Sequence, residues 1–165
     1  MGMFPGVRRL PAGAVLAVMV LAHAAAANGQ ARPARLSLAD ANAIIAAAQK
    51  SATARKVRVS VAVVDARGDL IALERQAGAH ASTVDATIGK AMLSAIFLRP
   101  SGSFAATANP ASPITAVNDS TGGRLRFAPG GVPIVRGGWL VGAVAVDGAS
   151  AQDEEIANDG AAAFP

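Results

Sequence analysis

Two pairs of β-branched runs, each joined by a connection too short for a crossover, commit this chain to antiparallel pairing. Residues 57–65 (VRVSVAVVD) are nearly continuous in β-branched side chains and read as a buried strand. Asp65-Ala66-Arg67-Gly68-Asp69 supplies turn chemistry, and Leu70–Arg75 (LIALER) returns as the hairpin partner. Residues 132–136 and 139–146 face each other across Gly137-Gly138, a two-residue hairpin signal. Parallel neighbours need a crossover of about a dozen residues or more, so a doubly wound parallel sheet is excluded.

Three segments carry a hydroxyl residue followed three positions later by an acid, the pattern of a capping box: Ser37 with Asp40, Ser82 with Asp85, and Ser150 with Asp153. The first opens a helix with Leu38, Ala41, Ile44, Ile45 and Ala48 at helical spacing. The second opens STVDATIGKAMLSAIFL, with Val84, Ile88, Ala91, Met92 and Ala95 on one face and Thr83, Thr87, Lys90 and Ser94 near the other. On this reading Lys90 is a helix-surface cation with Asp85 near in sequence. The third opens the last helix, where Asp153, Glu154 and Glu155 suit the helix dipole better than a metal site. Residues 99–131 are rich in Pro, Gly, Ser, Thr and Asn, with one short helical turn over 101–108. Residues 124–127 read as a short strand on which Arg124 and Arg126 share a face, turned by Ala128-Pro129-Gly130-Gly131. The expected order is α-β-β-α-β-β-β-α, an α+β fold with helices packed on an antiparallel sheet.

The first ten residues contain Arg8-Arg9 and no acid, and residues 12–27 (AGAVLAVMVLAHAAAA) form an apolar run ending in Ala-x-Ala sites. This is the pattern of a secretory signal peptide, and the run is short for a membrane span of about twenty residues. The reading assigns residues 1–27 to the signal peptide, 28–35 to a flexible lead and 36–165 to a single domain. It places the mature chain in the periplasm or outside the cell, without stable membrane insertion. Sec and twin-arginine export both stay open, because VRRLP lacks most of the twin-arginine signal.

A sequence pI near 10.7 suggests a polyanion binder, but removing Arg8 and Arg9 leaves the two signs nearly balanced and interspersed. With aromatic content of 4% and no Tyr, the chain lacks a stacking platform for nucleic acid. The absence of Cys excludes disulfides, thiol catalysis, Cys-ligated zinc, iron–sulfur clusters and covalent haem attachment. No GxGxxG, GxxxxGK[ST], GxSxG or HExxH motif occurs.

Three ordered stretches nevertheless resemble one family. LSLADANAIIAAAQKSATARKVRVSVAVVDARGDLIALER is similar to the opening of GlcG/HbpS-type haem-binding proteins, with a strand ending in VVD-x-x-G. STVDATIGKAMLSAIF resembles their next helix, marked by Lys90-Ala91 and a small hydroxyl residue, Ser94. FAPGGVPIVRGGWLVGAVAVDGASAQDEEIANDGAAAF resembles their PGG-x-P hairpin and DEE helix. The C-terminal domain of PduO-type corrinoid adenosyltransferases is similar as well. Asp147, the loop QAGAHAS and the 99–123 connection depart from the family pattern.

The resemblance implies a profilin-like three-layer α/β/α fold with a five-stranded antiparallel sheet, and homo-oligomers, dimeric or of higher even number. It also implies a small-molecule ligand, haem or a related tetrapyrrole, with haem degradation or redox sensing among the family's roles. Porphyrin iron is usually held by His, Met, Cys or Tyr. Beyond the signal peptide the chain offers His80 and Met92, and Met92 sits on an apolar helix face. His80 is therefore the candidate iron ligand, with an oxygen ligand from the Ser/Thr-rich loop as the alternative. Arg75, Lys90, Arg124 and Arg126 are candidates to pair with propionates, and Gly130 and Gly131 to supply backbone donors. A second reading is an enzyme or accessory protein for a small hydroxy or keto acid, as in glycolate-type metabolism, with Lys90 and Arg126 gripping the carboxylate.

Overall fold

Alternation along the two central strands decides which helix covers which face of the sheet. The computed structural model describes residues 35–164 together with Gly2; apart from Gly2, the stretch expected to be a signal peptide lies outside the described residues, as does the expected lead up to residue 34. Strands β1 (Ser60–Asp65), β2 (Leu70–Arg75), β3 (Gly131–Arg136) and β4 (Trp139–Asp147) form one sheet in the order β2-β1-β4-β3, every neighbouring pair antiparallel. The β1–β4 register sets Val61 opposite Val146 and Val63 opposite Val144, while Ala62 faces Ala145 and Val64 faces Ala143. With a side-chain period of two, the large valines fall on one face and mostly alanines on the other.

Helices α1 (Leu38–Ala54) and α4 (Asp153–Ala161) cover the valine face, where Ile44, Ile45, Val61, Val144 and Ile156 share one buried cluster. Burial of each such side chain contributes about 1.5–3 kcal/mol. Helix α2 (Thr83–Phe97) covers the other face, packing Ala91 and Ala95 on Val64, Ala143 and Ala145. Small residues on both sides let its backbone come close: a Cβ at Gly131 would lie 2.5 Å from the Lys90 carbonyl oxygen. The β3–β4 turn has Gly137 at φ +55° and Gly138 at +79°, the two left-handed positions that such a hairpin requires.

The capping box at α1 forms as the sequence predicts. The Asp40 N–H donates to Ser37 Oγ at 3.2 Å, and the Ser37 N–H donates to Asp40 Oδ2 at 2.8 Å. The Ser37 hydroxyl, and then its backbone N–H, hold the Asp40 carboxyl below the usual carboxylate range. A lowered pKa stabilises the fold above the unfolded-state value and loses that contribution as pH falls through the folded-state value. Ser37→Ala is expected to lower Tm by a few degrees near neutral pH. The deficit shrinks in acid but persists, because the Ser37 Oγ bond to the Asp40 N–H carries no protonatable charge; thermal melts across pH 2–7 check this.

The other two boxes are corrected. Ser82 is helical in backbone and caps nothing, its N–H and hydroxyl both lying against His80 Nδ1. Ser150 opens a 3₁₀ turn (Ser150–Gln152) at φ +54°, and α4 begins only at Asp153. The predicted strand over 124–127 is absent, so the described residues form four strands, not five. Gly122 and Gly123 adopt positive φ, and the Leu125 N–H goes to Asn118 Oδ1 at 2.8 Å instead of to a ladder. The 99–131 connection contains a 3₁₀ turn (Ser101–Phe104), as expected, and an unanticipated helix α3 (Pro113–Ser120). Ser112-Pro113, a hydroxyl residue before a proline at the first helical position, was its sequence signal. Among the described residues no helix is long and apolar enough to cross a membrane.

Candidate functional site

The row Thr83, Thr87, Lys90 and Ser94, expected near the face opposite the apolar one with Lys90 at the surface, is buried against the sheet. Helix α2 is enclosed on two sides, which periodicity alone does not reveal. Ala91 and Ala95 of the apolar row pack on the sheet, while Met92, with Leu93, packs outward on the 99–127 excursion against Phe104, Ile114 and Leu125. The polar row is left to face the alanine-lined sheet, where each hydroxyl needs a local partner. Ser60 and Thr83 hydroxyls bond at 2.7 Å, and Thr83 Oγ1 also donates to the His80 carbonyl. Ser94 Oγ is buried with no protein partner.

Lys90 is 3% exposed and its ammonium is fully engaged. Nζ donates to Asp147 Oδ1 at 2.5 Å, Asp153 Oδ2 at 3.0 Å and the Val146 carbonyl at 3.2 Å, which accounts for all three protons. Its partners are thus the end of β4 and the start of α4, not Asp85. Burial pushes the Asp153 carboxyl above its ordinary value, opposed by the Lys90 charge and by the Ala149 N–H at 2.7 Å. Of the three acids at the start of α4, only Asp153 is buried, and Glu155 pairs with Arg55, the residue that caps the C-terminus of α1, at 3.6 Å.

The PGG turn closes over this hub. Gly130 sits at φ +124° with room for a hydrogen only, because a Cβ there would stand 2.4 Å from the Val146 carbonyl oxygen and 3.0 Å from Lys90 Nζ. Ser101 Oγ accepts from the Gly131 N–H at 2.8 Å and donates to the Ala128 carbonyl at 2.6 Å. Lys90 and the Gly131 N–H are therefore already matched inside the fold.

The remaining predicted residues fall in two other places. Arg124 and Arg126 line a cleft of about 250 Å³ with Asp85, Ile88, Gly89, Gly122 and Gly123. Arg75 ends β2 and His80 lies in the loop that follows, where Arg75 Nη1 donates to the Ala79 carbonyl at 2.6 Å and His80 is exposed. A second cleft, of about 380 Å³, was not anticipated: Phe97, Phe104, Ile114 and Val117 form its apolar wall and Ser103, Thr107 and Ser112 supply hydroxyls. Phe97 and Phe104 pack with centroids 5.2 Å apart, and the Arg99 guanidinium lies 5.1 Å from the Phe104 centroid. Neither cleft is lined by His80 or Arg75. Among the described residues no group of three or more His, Cys, Asp or Glu could hold a metal ion.

The sequence model of the family described as haem degrading protein HbpS-like matches residues 36–162. The chain belongs to this HbpS-like family. Solved structures share its fold over nearly their full length. Klebsiella pneumoniae protein ORFY is 25% identical, with a TM-score of 0.73, covering 82% of this chain and 95% of its own. A PduOC:Heme complex is 25% identical with a TM-score of 0.71, covering 79% and 95%. A double mutant of Streptomyces reticuli HbpS is 28% identical with a TM-score of 0.70, covering 84% and 94%. A search of the curated proteins returned no match. The HbpS-like relationship accounts for the shared fold. It leaves the chemistry to this chain's own clefts.

Proposed function

We propose that this HbpS-like chain is exported, assembles as a homo-oligomer of even number, and binds haem or a related tetrapyrrole without turning it over. Family membership and the likeness to a haem complex support the ligand class. Within this chain, the observation that carries the reading is the Phe97–Phe104 cleft. A porphyrin presents a flat apolar body with carboxylates at one edge. The cleft presents an apolar wall with a guanidinium, Arg99, against it and a hydroxyl rim. Phe97, Phe104 and Ile114 would hold the ring, and Arg99 would pair with a propionate.

For the iron, two donor types remain. Ser103 and Thr107 hydroxyls donate to the Pro100 and Phe104 carbonyls, leaving oxygen lone pairs on the cleft residues. His80 is the alternative donor, at the other end of α2, roughly 20 Å away by helical rise. His80 Nδ1 is approached by the Ser82 N–H at 3.3 Å and by the Ser82 hydroxyl at 2.8 Å, and His80 lines neither cleft. The oxygen donor is the better fit. When bound, haem would supply a redox-active iron, the basis of a sensing role.

Haemin titrations of variants test the placement. Phe104→Ala and Arg99→Ala are expected to weaken haemin binding about tenfold or more, while His80→Ala leaves the Soret change intact. Loss of the Soret change in His80→Ala alone would move the site to the loop before α2. A catalytic reading on small hydroxy or keto acids loses its Lys90–Arg126 grip, since Lys90 is held by Asp147 and Asp153.

A further inference from the structure

Three charged side chains line the smaller cleft without neutralising one another. None of the ion pairs among the described residues involves Asp85, Arg124 or Arg126. Arg126 Nη1 donates only to its own neighbourhood, the Gly123 carbonyl at 3.0 Å and the Leu125 carbonyl at 3.3 Å. All three side chains belong to exposed residues, so each charge is hydrated and available.

The walls that carry them are fixed. Leu125, between the two arginines, is 1% exposed and anchored in the cluster of Met92, Leu93, Phe104 and Ile114. Asn118 holds its N–H. Gly89 lets the segment press onto α2: a Cβ there would come 2.2 Å from the Arg124 carbonyl oxygen and 2.7 Å from Arg126 Cγ. The Gly122 and Gly123 N–H groups go to Asp119 and Asn118 carbonyls, so recognition of an anion falls to the guanidinium groups. The outcome is a cleft of about 250 Å³ with two cations on one wall and one carboxylate on the other.

We infer that this cleft is a binding site for a small dicarboxylic α-amino acid, whose two carboxylates meet Arg124 and Arg126 and whose ammonium meets Asp85. Two negative charges and one positive charge complement the wall charges, and the cleft volume suits a ligand of about ten heavy atoms. The inference does not rest on the haem reading, which uses the opposite end of α2. Exposed charge pairs are individually weak, so the Kd is about millimolar and rises with salt.

Calorimetric titration of the full chain with L-aspartate, and with succinate, which lacks the ammonium, tests it. Saturable binding of L-aspartate is expected, weakened about tenfold by Arg124→Gln and by Arg126→Gln. Asp85→Asn should weaken L-aspartate and strengthen succinate, a sign reversal that a loss of folding does not produce. No saturation with either probe, or binding indifferent to both arginine variants, overturns the site. A parallel change for both probes in Asp85→Asn overturns the ammonium contact. A haemin titration of Arg124→Gln should match wild type. Loss of the Soret change there would assign the arginines to the tetrapyrrole and end the claim of a separate site. Absence of a Soret change in wild type leaves the L-aspartate result standing.

Discussion

Lys90→Met is expected to lower Tm by about 10–20 °C. The substitution keeps the unbranched stem and removes the ammonium, leaving the Asp153 side chain, 4% exposed, without its cation. Breaking a buried pair by removing one partner costs about 3–5 kcal/mol, and a domain of this size loses roughly 3–5 °C per kcal/mol. Asp147, at 24% side-chain exposure, rehydrates more readily, so the burden falls on Asp153. Lys90→Met/Asp153→Asn should recover a large part of the loss, because the Asn amide oxygen can still accept the Ala149 N–H. The pH dependence has a defined sign. Asp153 already titrates above its ordinary value through burial, so its favourable contribution is full below the unfolded-state pKa and lost as pH rises through the folded-state one. Removing Lys90 raises that pKa further, and the gap between variant and wild type narrows on acidification. Differential melts at pH 4.5 and pH 7.5 check both points; equal gaps would contradict the account.

Gly130→Ala is the second large effect, with an expected loss of about 2–5 kcal/mol in urea unfolding. Positive φ costs a non-glycine residue roughly 1–2 kcal/mol, and overpacking adds about 1–3 kcal/mol. The alanine Cβ would overlap the Val146 carbonyl oxygen at 2.4 Å and lie 2.9 Å from Asp153 Cβ, neither of which can move without disturbing the lysine hub. Gly122→Ala separates the two contributions. Gly122 also has positive φ, +71°, but nothing lies within 4 Å of its added Cβ, so only the backbone strain of about 1–2 kcal/mol should appear. Equal losses in the two variants would show that packing around Gly130 is looser than described.

Legibility in the sequence followed how local each signal was. The hairpins, the Gly137-Gly138 turn and the Ser37–Asp40 cap depend on neighbours within a few residues, and all three are present. The fifth strand was misread because Arg124, Leu125, Arg126 and Phe127 alternate like a strand, while the Asn118 side chain takes the backbone bond that a ladder would need. Lys90 was misplaced because an amphipathic pattern assumes one apolar neighbour. Helix α2 has two, and its polar row faces the one lined with alanine. Its carboxylate partners lie 57 and 63 residues away, a separation no spacing rule reports. The Ser150–Asp153 pattern was read as a cap, although Asp153 is the buried acid of the hub. The sequence groups the candidate residues into one site, whereas the structure distributes them over a buried hub, an arginine cleft and the loop of His80. The Phe97–Phe104 cleft escaped notice because its walls meet only through the α3 helix, the element least visible in the sequence.

Haem binding by this HbpS-like chain is read out by an absorbance titration of the wild-type protein with haemin. A Soret shift that saturates at a stoichiometric ratio and survives gel filtration is expected. A linear, unsaturable response indistinguishable from free haemin would contradict it.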